Sequence, residues 1–236
     1  KLTAPVVVNK TPIVQAWQWG MQVGKGVMTV KDGKVAGFEW EVVTINANEK
    51  GVPVGPQFEQ HPLVMPVLSA YADKVESLLK EKIGKAADLF PNAESRKGET
   101  AIGDLVADAM KYLTRAQGVD FAIQNGGGIR ADLPAGDITK KSVYTVLPFD
   151  NSVTVLKLKG VDVQALFDFV ASTPGKGAFP QVSDGVSFTI NTVTGKTENV
   201  LIGGQPIDPA KVYTIATNSY MATGGDGYVA FKNALS

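Results

Sequence analysis

Phe121-Ala122-Ile123-Gln124-Asn125-Gly126-Gly127-Gly128-Ile129-Arg130 opens on a short apolar run and closes on three consecutive glycines. An apolar run bounded in this way reads as a short buried strand, Phe121 to Ile123, that delivers a tight loop at its end. Downstream, Val153 to Leu158 reads as strand and Val161 to Ala171 as helix, with further strands at Val186 to Ile190, Val200 to Ile202 and Val212 to Thr217. Upstream, Ile102, Leu105, Val106, Ala109, Met110 and Leu113 recur at the three-and-four spacing of one helix face. The same period in Val64, Val67, Leu68, Tyr71, Val75, Leu78, Leu79 and Ile83 predicts a helix over 63–83, with Pro66 tolerated in its first turn. Strands and helices alternate irregularly. That mixture predicts an α+β domain with a mixed sheet rather than a doubly wound one.

Residues 6–46 read as β, with Val6 to Val8, Ile13 to Trp17, Val27 to Val30 and Phe38 to Val42 as strands and Asp32-Gly33 as a hairpin turn. These strands alone make a poor core. Trp17, Trp19 and Trp40 need something to cover them, which suggests the end of a sheet that begins before residue 1. Asn46 to Pro62, carrying Gly51, Pro53, Gly55, Pro56 and Pro62, reads as a linker.

The chain has 236 residues, 44% of them hydrophobic, and 23 basic side chains balance 23 acidic ones. Such a composition supports one large or two small domains and excludes disorder. Zero net charge without a Lys/Arg run leaves no electrostatic pull toward nucleic acid or anionic membrane, so neither is expected as a partner. No apolar stretch approaches the ~20 residues of a membrane span. With 0 Cys and 1 His, a thiolate site, an iron–sulfur cluster and a multi-histidine metal centre are all excluded. His61, followed by Pro62, reads as a capping or solvent-facing residue rather than a metal ligand, and no Gly-x-Ser-x-Gly elbow occurs.

Two glycine-rich loops are candidates for chemistry. In Asn125-Gly-Gly-Gly-Ile-Arg130 the bare backbone lets a ligand approach and Arg130 offers a planar fork of donors, although a strand-ending turn with a surface arginine explains the string equally well. In Thr223-Gly-Gly-Asp-Gly-Tyr228 the Asp226 carboxylate can accept two hydrogen bonds from vicinal hydroxyls, as on a sugar; Asp-Gly is also the commonest turn pair. Leu147-Pro148-Phe149 and Ser219-Tyr220-Met221 place aromatic rings near loops, where two facing rings can stack a planar base. Sequence spacing does not show that they face one another. Arg96 reads as a solvated arginine just before a helix.

Together, the strings Asn125 to Arg130, Leu147 to Phe149 and Thr223 to Tyr228, in this order and spacing, resemble the C-terminal domain of the 5'-nucleotidase family. Arg96-Lys-Gly-Glu-Thr-Ala-Ile-Gly103-Asp-Leu-Val-Ala-Asp-Ala-Met110 is similar to the opening of that domain, and Thr11 to Gly20 to the closing strands of the family's N-terminal metallophosphoesterase domain. The likeness is greatest to bacterial periplasmic enzymes acting on UDP-sugars, NAD and nucleoside monophosphates. It implies three parts: residues 1–47 as a metallophosphoesterase remnant, 48–83 as linker and connecting helix, and 84–236 as a nucleotide-binding domain shortened at its end.

The resemblance also assigns roles. Phe149 and Tyr220 match the rings that sandwich the base, and Asp226 matches the carboxylate on the ribose. Arg96, Asn125 and Arg130 match polar residues around ribose, base edge and phosphate, while Gly127 and Gly177 line the pocket. Asn92 stands where some bacterial members have a further arginine. No catalytic residue and no metal ligand is expected in this portion. The two divalent ions, such as Zn or Mn, belong to the N-terminal catalytic domain, which is its partner. By this reading the chain binds nucleosides and nucleotides of the AMP, UDP-sugar or NAD type, is periplasmic, and is inactive alone. The alternatives are a parent acting on 2',3'-cyclic nucleotides and a non-catalytic nucleotide-binding module.

Overall fold

A computed structural model describes residues 4–17, 20–49 and 52–235. The chain divides into two compact units, Lys1–Asp73 and Lys74–Ser236.

The first unit holds β1 (Val6–Val8) paired antiparallel with β2 (Thr11–Ile13), the long hairpin β3 (Gln22–Lys31) and β4 (Lys34–Thr44), and the short pair β5 (Ala47–Glu49) and β6 (Val52–Val54). Asp32 and Gly33 take φ of +50° and +70°, the left-handed pair that lets a two-residue loop follow the strand twist. Ile13 to Trp17 is not one strand: pairing ends at Ile13 because its partner ends at Val6, and Trp17 turns to φ +64°. Within Asn46 to Pro62 the linker reading missed β5 and β6, which pair across Asn48 and Pro53. No described residue of this unit is buried, and Val27, Met28, Val30 and Val35 are all exposed. Trp19 lies outside the described residues.

Helix α1 (Met65–Leu79) carries the division between the units. His61 precedes it as a cap: its carbonyl accepts from Val64 N and Met65 N, and its Nδ1 accepts from Leu63 N at 3.3 Å. The helix ends before its apolar period does, because Ile83 falls in β7 (Lys82–Ala86), at a bulge between Lys82 and Gly84, which pair antiparallel with Thr139 and Ile138 of β9 (Gly136–Thr139).

The second unit is built on α2 (Ala101–Leu113), β8 (Phe121–Asn125), α3 (Lys140–Val146), β10 (Val153–Lys159), α4 (Gly160–Val170), β11 (Pro180–Val182), β12 (Val186–Asn191), β13 (Lys196–Ile202), β14 (Gln205–Pro206), β15 (Val212–Asn218) and α5 (Ser219–Ala222). Its central sheet has the order β10-β15-β8-β11, with β15 and β8 parallel and both outer pairs antiparallel. This is a mixed sheet in an α+β unit, and β12, β13 and β14 form a separate antiparallel sheet.

Both faces of the central sheet are covered. Phe121 and Ile123 of β8 and Ile215 of β15 point into one cluster with Val163, Leu166, Phe167 and Val170 of α4. Ala122 and Ala216 point the other way, onto Ile102, Val106 and Met110 of α2. The period-two alternation of side chains across a strand produces this division, and burial on both faces explains why β8 is apolar throughout its first three residues. Each such Phe, Ile or Leu contributes about 1.5–3 kcal/mol by leaving water.

Candidate functional site

The parallel strands β8 and β15 end at Asn125 and Asn218, while the flanking strands begin beside them, Pro180 of β11 opposite Asn125 and Val153 of β10 opposite Asn218. Four loops therefore meet at one edge of the sheet: 126–130, 147–152, 171–179 and 219–228. A crevice outside the carboxyl ends of parallel strands is a common place for a ligand. Here it is a cleft of about 640 Å³ lined by Arg96, Asn125, Gly127, Gly128, Arg130, Phe149, Asp150, Asn151, Gly177, Tyr220 and Asp226. All eight residues singled out from the sequence lie in this lining.

Asp226 is held from three sides. It adopts φ +54° and ψ +13°, a left-handed conformation that Asp tolerates better than most residues. Its Oδ2 accepts from Asn125 Nδ2 at 2.7 Å and its Oδ1 from the Tyr220 hydroxyl at 2.9 Å, while its own N–H donates to that hydroxyl at 3.1 Å. The hydrogen bond to the carboxylate raises the Tyr220 phenol above its ordinary range, so it stays a donor.

Behind Asp226 stands a chain of buried amides. Asn218 Nδ2 donates to Gln124 Oε1 and to Asn125 Oδ1, both at 2.9 Å, and Gln124 Nε2 donates to Asn125 Oδ1 at 3.1 Å. Two donors on Asn125 Oδ1 leave its NH₂ group aimed at Asp226. Asn218 in turn caps α5, accepting from Met221 N at 2.8 Å, and so places Tyr220.

Gln181 does similar work for Arg96. Its side chain, 1% exposed, accepts from Thr100 N and Thr100 Oγ1 at 3.1 Å and donates to Ser95 O at 3.0 Å and Gly98 O at 2.8 Å. All four of its hydrogen-bonding positions are used to fix the 95–100 segment. Thr100, so held, caps α2 through Gly103 N at 3.2 Å. Gly175 N donates to Arg96 O at 2.7 Å, tying that segment to the loop bearing Gly177.

The rings are available: Phe149 is 53% exposed and Tyr220 46%. Arg130 Cζ lies 5.9 Å from the Phe149 centroid, and its Nη1 donates to Gly127 O at 3.3 Å. Two of the glycines are dictated by packing. A Cβ on Gly127 would come 2.8 Å from Gly177 Cα, where Gly127 N donates to Gly177 O at 2.7 Å, and one on Gly225 would come 2.6 Å from the Tyr220 ring. At Asn92, which stands where some bacterial members of the resembled family have an arginine, the amide donates to Ile129 O at 3.1 Å and braces the loop carrying Arg130.

A neighbouring cavity of about 320 Å³ shares Gly128, Phe149 and Asn151 but is lined by aliphatic side chains such as Leu105, Val106 and Val143, with no charged group. Of these two cavities only the first is lined by charged side chains. Among the described residues no group of three or more Asp, Glu or His side chains is disposed to hold a metal ion, and no helix is long and apolar enough to cross a membrane. Gln124, Gln181 and Asn218 escaped the reading of the sequence. The signal for Gln124 was a polar residue inside a buried run; the other two gave none.

Residues 82–233 match the family described as the 5'-nucleotidase C-terminal domain. Protein UshA of Escherichia coli is 34% identical over 94% of this chain and 41% of its own length. A 5'-nucleotidase of Vibrio cholerae is 31% identical over 95% of this chain and 41% of its own. The crystal structure of a 5'-nucleotidase precursor from Thermus thermophilus superimposes with a TM-score of 0.66 at 29% identity, covering 98% of this chain and 47% of that one. The chain thus spans less than half the length of the relatives it matches.

Proposed function

Because the chain belongs to the 5'-nucleotidase family, whose C-terminal domain it carries over residues 82–233, we propose that its second unit binds and orients the nucleoside part of a nucleotide for a phosphohydrolase. One observation carries this reading. A single cleft combines two half-exposed aromatic rings, a braced carboxylate and two arginines.

Each element answers one part of a nucleotide. A base slides between Phe149 and Tyr220, where stacking contributes about 1–3 kcal/mol and accepts any base. Asp226 takes the ribose hydroxyls, Asn125 the nearby polar edge, and Arg130 and Arg96 the phosphate, for which guanidinium groups supply paired donors. Substrates of the AMP, UDP-sugar and NAD classes all fit these requirements. The described residues do not fit a two-metal centre. Hydrolysis by a metal-activated water is assigned to a separate catalytic domain of the parent enzyme, and this chain supplies orientation and binding energy.

In the same reading, residues 1–47 are the closing strands of a metallophosphoesterase domain, 48–83 the connection, and 84–236 the nucleotide-binding domain. The unburied strands of the first unit support the first of these. A periplasmic location follows from the resemblance to periplasmic enzymes. Calorimetric titration of this chain with adenosine and with AMP tests the site. Phe149→Ala is expected to weaken both ligands, and Arg130→Gln to weaken AMP while sparing adenosine. Equal affinity of wild type and both variants overturns the proposal.

A further inference from the structure

Tyr220 presents more than a stacking face. Its hydroxyl is bonded to both ends of Asp226, donating to Oδ1 at 2.9 Å and accepting from the backbone N–H of the same residue at 3.1 Å. This reciprocal pair locks the carboxylate against its own main chain. The other oxygen is fixed independently, by Asn125 at 2.7 Å, and Asn125 is itself immobilised by the buried amides of Gln124 and Asn218. An ionised carboxylate has about four acceptor positions over its two oxygens. One on each is taken from inside the protein, which leaves one on each for a ligand in the cleft that Asp226 lines.

Two acceptor positions held side by side suit two donors held side by side. Vicinal cis hydroxyls satisfy both; a sugar lacking one of them leaves a desolvated carboxylate oxygen unmatched, and a site built to hydrogen-bond a hydroxyl discriminates strongly against its absence. A carboxylate free to turn would relax this demand by optimising one bond and taking water with the other oxygen. We propose that the Tyr220 hydroxyl is a positioning group that pre-orients Asp226 for a cis-diol and thereby makes the cleft selective for ribonucleosides over 2'-deoxyribonucleosides. The inference rests on the nucleoside-binding reading above, in which Asp226 takes the ribose hydroxyls, and adds to it the residue that orients this carboxylate and the discrimination at the 2' position.

The test compares adenosine with 2'-deoxyadenosine by calorimetry on wild type, Tyr220→Phe and Tyr220→Leu. Tyr220→Phe keeps the ring and loses only the hydroxyl. Adenosine affinity is expected to fall about tenfold, and 2'-deoxyadenosine affinity to change by less than about twofold, in keeping with loss of a hydroxyl that orders the carboxylate without itself touching the ligand. The ratio of the two affinities is the readout, since a merely structural loss weakens both ligands alike. Tyr220→Leu, lacking ring and hydroxyl, should weaken both and also lose the ratio. A wild-type chain without discrimination, or a Tyr220→Phe chain that keeps the wild-type ratio while binding adenosine, overturns the inference and leaves the nucleoside site standing. A folded wild-type chain that binds neither nucleoside overturns the functional reading, and this inference with it.

Discussion

Replacing Gln181 with Leu removes four hydrogen bonds at a side chain only 1% exposed while nearly preserving its volume. Ser95 O, Gly98 O and Thr100 N–H lose that partner, whereas Thr100 Oγ1 keeps Ser95 Oγ and Gly103 N. A polar group left unpaired in the interior costs about 1–3 kcal/mol. Three such groups at the low end, with water reaching the exposed Arg96–Lys97 side of the segment, give a loss of about 3 kcal/mol. Taking a urea m-value of about 1–3 kcal/mol/M, the unfolding midpoint should fall by roughly 1–3 M. The freed segment carries Arg96, so AMP affinity should fall as well, more than adenosine affinity. Urea titration followed by circular dichroism and calorimetry on the same preparation measure both effects. A midpoint within about 0.3 M of wild type, corresponding to under about 1 kcal/mol, together with unchanged AMP binding, refutes the claim that Gln181 organises this wall of the cleft.

Gly127→Ala should cost about 1–3 kcal/mol of stability and weaken nucleoside binding, because its methyl group meets Gly177 Cα at 2.8 Å; Gly177→Ala, whose Cβ would lie at an ordinary 3.7 Å from Asp226 Oδ2, should be milder in the same assays. Asp104 is pushed up from 3.8 to about 6, first by burial and then by Glu99 and Asp108. The folded chain then keeps a proton that the unfolded chain has released, so this group's effect on stability worsens as pH rises from 3.8 to about 6 and is absent below that window. Asp104→Asn should accordingly gain on wild type across that interval in urea midpoints; parallel pH profiles would contradict it.

Strand β8 and helix α2 were legible because each carries its own period, an apolar run bounded by glycine in one case and the three-and-four spacing in the other. Strands β9 and β11 were not. Gly136–Thr139 has one large apolar residue, and Pro180–Val182 has three residues beginning with proline, so tertiary pairing alone makes them strands. The end of α1 is not legible because Ile83 fits the helix period yet lies at a bulge in β7, between Lys82 and Gly84, whose pairing with β9 the spacing does not record. For the cleft, the eight residues were nameable one by one through the resemblance, and their convergence was not. It depends on two parallel strands ending side by side, which residue spacing does not record. The Asn218 contacts behind Asp226 and the Gln181 brace reach across 81 to 94 residues of sequence, and a single Gln or Asn leaves no periodic trace of such a partner.

The central proposal is a division of labour, in which this chain binds the nucleotide and a separate domain cleaves it. AMP binding by calorimetry and phosphate release in added Mn²⁺ or Zn²⁺, measured on one rigorously purified sample and on Asp226→Ala, test it most directly. Saturable AMP binding that is lost in Asp226→Ala, with no phosphate released at any metal concentration, is the predicted result. Metal-dependent phosphate release that rises in proportion to the protein would contradict it.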